Sequence, residues 1–363
     1  MGLSSSQSSA SYAVKVLIAD DSAFMRASLS RMVESDEALC VVGTAETGLE
    51  AIAKIGTLHP DVVTLDLDMP GLSGLETLKR VMSESPLPVI IVSSMAREGA
   101  EATLQALELG AFDCIAKQLS YASEDVLKVQ DELVGKIKAA AGPLLLAVRA
   151  AKRPPRAPLT PAPAAAVTVP AIIAIGTSTG GPKALQQILS ALPANLPVSI
   201  VVVQHMPVGF IGPLAKRLDD LCMLQVREAA DGDPLTPGHV YLAPAGKHLT
   251  VYRRPSSQAA LRLSPLPNKG LHIPSVDVMM SSVADTFGRA AMGIILTGMG
   301  DDGALGMQAI FHQGGLTLGQ DQATCVVYGM PRSCAELGVL TKVVPLRDIP
   351  ARILTALRFR KPQ

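Results

Sequence analysis

The chain has no tryptophan, and aromatic residues make up only 3% of it. It therefore lacks a platform on which nucleic-acid bases could stack. It also lacks an excess of either charge, with 32 Lys and Arg against 32 Asp and Glu. That balance argues against a general nucleic-acid binder, which needs a basic surplus. No apolar run reaches the roughly 18 to 20 residues of a membrane-crossing helix, so no membrane insertion is expected. The opening MGLSSSQSSASYA has no apolar core of the secretory kind. Cys40, Cys114, Cys222, Cys325 and Cys334 are odd in number and show no CxxC spacing. They read as reduced thiols of a cytoplasmic protein.

What is abundant is aliphatic. Hydrophobic residues are 48% of the chain, mostly Ala, Val, Leu and Ile, enough for large cores. A length of 363 residues points to two or three domains. The organising stretch is AIIAIGTSTGGPK, from Ala171 to Lys183. Its β-branched run reads as a buried strand, and Pro182 suits the first turn of a following helix. Between them, Gly176-Thr177-Ser178-Thr179-Gly180 matches G-x-S-x-G. Such a turn can lift a serine oxygen clear of the backbone. It can equally aim helix N–H groups at a bound phosphate, so the motif alone leaves both uses open.

The first domain, 13–140, alternates five strands with five helices, which implies a parallel sheet covered on both faces. Ligands of such sheets sit at the carboxyl ends of the strands. There the sequence places Asp20 and Asp21 after the first strand and Asp66 after the third. Ser93 follows the fourth and Lys117 the fifth. Clustered carboxylates repel one another and call for a cation; all-oxygen ligation suits Mg²⁺. A segment rich in Pro and Ala, 141–170, reads as an extended linker after this domain.

In the second domain, 171–363, three buried strands each end on a polar group. These are Ser178, His205 within Gln204-His205-Met206, and an aspartate at 301 or 302 within TGMGDDG. Serine needs an adjacent imidazole to act as a nucleophile, and an acid to orient that imidazole. The chain order Ser, His, Asp differs from the Ser, Asp, His of α/β-hydrolases, so the elbow is expected to be convergent. Alternating residues from Gly238 to Leu263 suggest a β insertion beside the main sheet. Two other classes stay open on these residues alone: a non-enzymatic regulator, and a phosphate- or nucleotide-binding domain.

The motifs ADDS, LDLDMPGLSG, VSS and Lys117 resemble the receiver domain of two-component response regulators. GTSTGG, QHM and TGMGDDG, with HIPSVDVMM and CVVYGMPR, resemble the chemotaxis methylesterase and glutamine deamidase of the CheB type. The resemblance implies a flavodoxin-like receiver with a five-stranded parallel sheet, joined to a doubly wound α/β methylesterase domain. It implies Asp66 as phosphoacceptor and Ser93 and Lys117 as phosphoryl contacts. Asp20, Asp21, Asp66 and the backbone carbonyl of Asp68 would hold Mg²⁺. Ser178, His205 and Asp302 would be catalytic, with Asp301 the variable neighbour and no metal in that domain. The expected substrates are methylated glutamates and certain glutamines on chemoreceptor cytoplasmic domains. The expected phosphodonor is a cognate histidine kinase, with the unmodified receiver restraining the enzyme. One departure from the receiver pattern is Gln118, where Pro usually follows the lysine.

Overall fold

β-Branched runs too short for helices, punctuated by Gly and Pro, give two parallel sheets, one in each of two compact units. The computed structural model describes residues 13–94, 97–117, 123–142, 168–255, 258–267 and 272–358. Residues 1–12, which the sequence leads one to expect as a disordered tail ahead of the first domain, most of the linker, and Gln118 lie outside the described residues.

In the first unit the strands are β1 (Val14–Ala19), β2 (Leu39–Ala45), β3 (Val62–Asp66), β4 (Val89–Ser93) and β5 (Asp113–Ala116). Their order is β2-β1-β3-β4-β5, all parallel. Val14, Val16 and Ile18 alternate on one face of β1. They pack with Leu29, Met32 and Val33 of the helix Ala23–Glu34 and with Leu133 and Ile137 of the helix Ser123–Ala140. Helix starts are written locally. Ser73 accepts from the Glu76 N–H while the Glu76 carboxylate accepts from the Ser73 N–H, a closed capping box. The direction of winding reverses between β1 and β3, which opens a crevice at their carboxyl ends.

The second unit carries β6 (Ile172–Thr177), β7 (Ser199–Gln204), β8 (Gln225–Glu228), β9 (His239–Leu242), β10 (His248–Arg253), β11 (Ala259–Ser264), β12 (Ala291–Ile295), β13 (Leu316–Gln320) and β14 (Lys342–Val344). Seven of them form one parallel sheet in the order β14-β13-β12-β6-β7-β9-β8. The chain winds outward from β6 on one side and from β12 on the other. Those two strands are neighbours, so the winding reverses between them.

The expected β insertion is only partly separate. β9 enters the main sheet, pairing Val240–Leu242 with Ile200–Val202, because its three successive buried residues need cover on both faces. β10 and β11 alone leave it, as an antiparallel hairpin whose Leu249, Val251 and Leu261 pack with Met279, Met280 and Val283 of the helix Val276–Phe287. A further helix, Met330–Glu336, occupies the stretch where the sequence offered only the motif CVVYGMPR.

Candidate active site

Strand register places the serine beside the histidine. β6 and β7 pair from Ile172↔Ser199 through Thr177↔Gln204, so Ser178 and His205 follow on adjacent strand ends. The elbow between β6 and its helix is tight. Gly180 has φ +77°, and a Cβ there would lie 2.6 Å from Val326 Cγ2, so glycine answers both the conformation and the space. Buried polar groups lock the turn. The Ser178 N–H and the Thr177 hydroxyl both donate to the Thr297 carbonyl, at 3.0 Å each. The Thr297 hydroxyl donates to the Thr179 carbonyl at 2.9 Å. Gln320 Oε1 accepts from the Thr297 N–H at 2.8 Å. Gln204 Nε2 donates to the carbonyls of Ser178 (3.0 Å) and His205 (2.9 Å), tying the two strand ends together.

His205 Nε2 lies 2.8 Å from Asp302 Oδ2. Asp301 is exposed and makes no such contact, so of the two aspartates it is Asp302 that meets the histidine. Asp302 reaches the imidazole from the turn after β12, where it also caps the helix Val276–Phe287. Its Oδ1 accepts from the Ser275 hydroxyl at 2.8 Å and the Asp277 N–H at 3.0 Å, and its Oδ2 from the Val276 N–H at 2.8 Å. Asp277 returns the service. Its Oδ1 accepts from the N–H groups of Gly303 (2.9 Å) and Gly306 (2.7 Å), at the start of the helix Ala304–His312.

Burial alone would push the Asp302 carboxyl upward. The His205 hydrogen bond and charge, with the helix N–H groups, overcome it and hold the pKa down at about 2. Asp302 is thus ionised at neutral pH and can only accept, so His205 Nε2 carries the hydrogen. The other ring nitrogen, Nδ1, is buried and has no hydrogen-bond partner. The N–H of Gly181 is taken by the Ser178 carbonyl at 2.8 Å. Among the described residues, the N–H groups of Met299 and Gly300 have no such partner.

Sequence reasoning missed several members of this site. His272, given no role there, stacks on His205 with ring centroids 4.1 Å apart and planes 16° from parallel. Gln204, Gln320 and Thr297 were passed over as individuals. Polar residues closing fully apolar strands were the signal that could have marked them.

In the first unit Asp20, Asp21 and Asp66 each offer a carboxylate oxygen, all within 4.8 Å of one another. Lys117 Nζ lies 3.0 Å from Asp20 Oδ2 and 2.6 Å from Asp66 Oδ2. Burial pushes the Asp66 carboxyl up, against the pull of Lys117. Burial opposes the Lys117 ammonium in turn, but the two carboxylates more than offset it and raise its pKa. Ser93 is buried at the end of β4. Asp68 has an exposed side chain, and its N–H donates to Asp66 Oδ1 at 3.1 Å. Hard oxygen donors gathered on one rim fit a magnesium ion.

A receiver joined to an α/β domain with an esterase-like site defines a response regulator with an output unit of the hydrolase kind. The comparisons agree with that class. The family model for the CheB methylesterase matches residues 173–353, and that for the response regulator receiver domain matches residues 16–128. The chain belongs to the CheB methylesterase family. It is 45% identical to a protein-glutamate methylesterase/protein-glutamine glutaminase of Nitratidesulfovibrio vulgaris, covering 95% of this chain and 99% of the relative. It is 46% identical to the protein of the same name from Symbiobacterium thermophilum, covering 95% and 97%. The solved CheB methylesterase catalytic domain of Thermotoga maritima is 39% identical, with a TM-score of 0.50 over 52% of this chain and 99% of that one.

Proposed function

We propose that this protein hydrolyses glutamate γ-methyl esters and deamidates glutamines on chemoreceptor cytoplasmic domains, under control of phosphorylation at Asp66. The activities are those its relatives are named for. One observation carries the mechanism. Asp302 engages His205 at Nε2 and leaves the buried Nδ1 without a partner, on the strand end next to that of Ser178.

Ser178 Oγ attacks the γ-carbonyl carbon and passes its proton to His205 Nδ1. The carbonyl oxygen becomes an oxyanion, for which backbone N–H groups of the turn at Thr179 and Gly180 or of the Met299–Gly300 turn would be donors. As the tetrahedral intermediate collapses, the carbon–oxygen or carbon–nitrogen bond breaks. His205 returns the proton to the leaving group, releasing methanol or ammonia. Water then attacks the acyl-serine with His205 again as base, freeing glutamate and regenerating Ser178. Asp302 stays ionised throughout and stabilises the imidazolium.

In the receiver, Asp66 takes the phosphoryl group from a histidine kinase, and Lys117 and Ser93 meet its oxygens. Asp20, Asp21, Asp66 and the Asp68 carbonyl are the residues that would hold Mg²⁺. Bound there, it would neutralise the gathered carboxylate and phosphoryl charge. The test is methanol release from methylated receptor membranes. The wild-type chain is expected to release it, and Ser178→Ala to release none while keeping its melting temperature. A folded Ser178→Ala protein at full activity would overturn the mechanism.

A further inference from the structure

His205 is held at its backbone and at one ring atom. Its N–H donates to the Thr177 carbonyl at 3.0 Å, its carbonyl accepts from Gln204, and Nε2 meets Asp302. A ring tied at a single nitrogen can still turn about that bond, which would swing Nδ1 out of place. The face of His272, 4.1 Å away and nearly parallel, closes off that rotation.

The segment bearing His272 is itself fixed to the same frame. His248 is fully buried, and its Nδ1 accepts from the Ser275 N–H at 3.1 Å. Its Nε2 therefore carries the hydrogen and donates to the Pro267 carbonyl at 2.8 Å. The Gly246 N–H donates to the Ile273 carbonyl at 3.0 Å. The Ser275 hydroxyl, three residues beyond His272, donates to Asp302 itself. Both histidines are thus referred to one carboxylate, His205 directly and His272 through Ser275. We propose that His272 is a positioning residue for this reaction, its flat contact keeping the His205 ring in the plane in which Nε2 meets Asp302. The inference rests on the hydrolytic reading of the site.

Steady-state methanol release from methylated receptor membranes, with kcat and KM taken separately, tests it in the full chain. His272→Ala should lower kcat about ten- to a hundredfold, the scale of a small misplacement of a catalytic group. KM should stay near wild type. His272→Phe, which keeps a flat ring without polar atoms, should restore most of kcat. His272→Gln, polar without a ring face, should not. Wild-type kcat in His272→Ala overturns the proposal. So does a loss confined to KM, which would make His272 a substrate contact. A His272→Phe protein as slow as His272→Gln overturns it as well, because the polar atoms would then matter rather than the face. If His272→Ala does not fold, the Phe and Gln pair still decides. Ser178→Ala in the same assay separates the two failures. If it is dead while His272→Ala is normal, only the positioning role falls; if Ser178→Ala is active, the hydrolytic reading falls too.

Discussion

Replacing Asp302 with alanine removes one carboxylate that does two jobs, and the structure sizes both. Its pKa falls from 3.8 to about 2 on folding, a gap worth roughly 2 kcal/mol at neutral pH. The side chain is only 14% exposed, so solvent screening takes little from that figure. Part of that gap is the cap on the helix Val276–Phe287, whose loss is worth about 1 kcal/mol. The sign with pH follows from the depressed pKa. The wild-type advantage is fully present above about pH 4 and fades as the pH falls through the folded value near 2. Paired melting curves of wild type and Asp302→Ala should therefore differ at pH 7 and converge toward pH 2. Hydrogen exchange should show the lost protection first at the start of that helix. For the reaction, losing the orienting acid should cost on the order of 10⁴ in kcat. Asp301→Ala, the exposed neighbour, should change neither quantity. An Asp302→Ala protein as stable as wild type at pH 7, or a gap that widens in acid, would refute the reasoning.

In the receiver, Asp66 should be labelled by a small acyl phosphate only when Mg²⁺ is present, and Asp66→Ala should remain unlabelled; labelling that survives chelator would count against the site. Gly298→Ala would put a methyl group 2.2 Å from Met330 Sδ and 2.8 Å from Ser178 Cβ. It should cost about 1–3 kcal/mol of stability by overpacking and lower kcat, since the nucleophile itself must shift, as melting and methanol release would record. A fragment starting at Thr168 should be more active than the unphosphorylated full chain, and phosphorylation should raise only the latter. The likeness to a catalytic domain solved by itself supports its folding alone.

The strands and their polar ends were legible because β-branched runs closed by a polar residue are a local signal. Asp20, Asp66, Ser178 and His205 all came from it. Choosing Asp302 over Asp301 needed the family pattern, because two adjacent aspartates look alike until burial separates them. His272 was not legible. It stands 67 positions from His205, and a lone histidine in a short stretch between Pro267 and Pro274 carries no periodicity. β9 has four residues, too few to show whether one face or both are covered. The helix Met330–Glu336 has seven, with Pro331 in its first turn, and is too short for a helical repeat to emerge.

The lattice of Thr177, Thr297, Gln204 and Gln320 bonds bears on how such an enzyme can be turned on. A switch needs an element with two comparable arrangements. The nucleophile's turn has none to spare, because moving it would strand several buried donors and acceptors at once, each costing about 1–3 kcal/mol. Activation that worked by reshaping the serine would have to overcome that sum, more than one phosphoryl group readily supplies. Control that leaves this turn untouched avoids that cost.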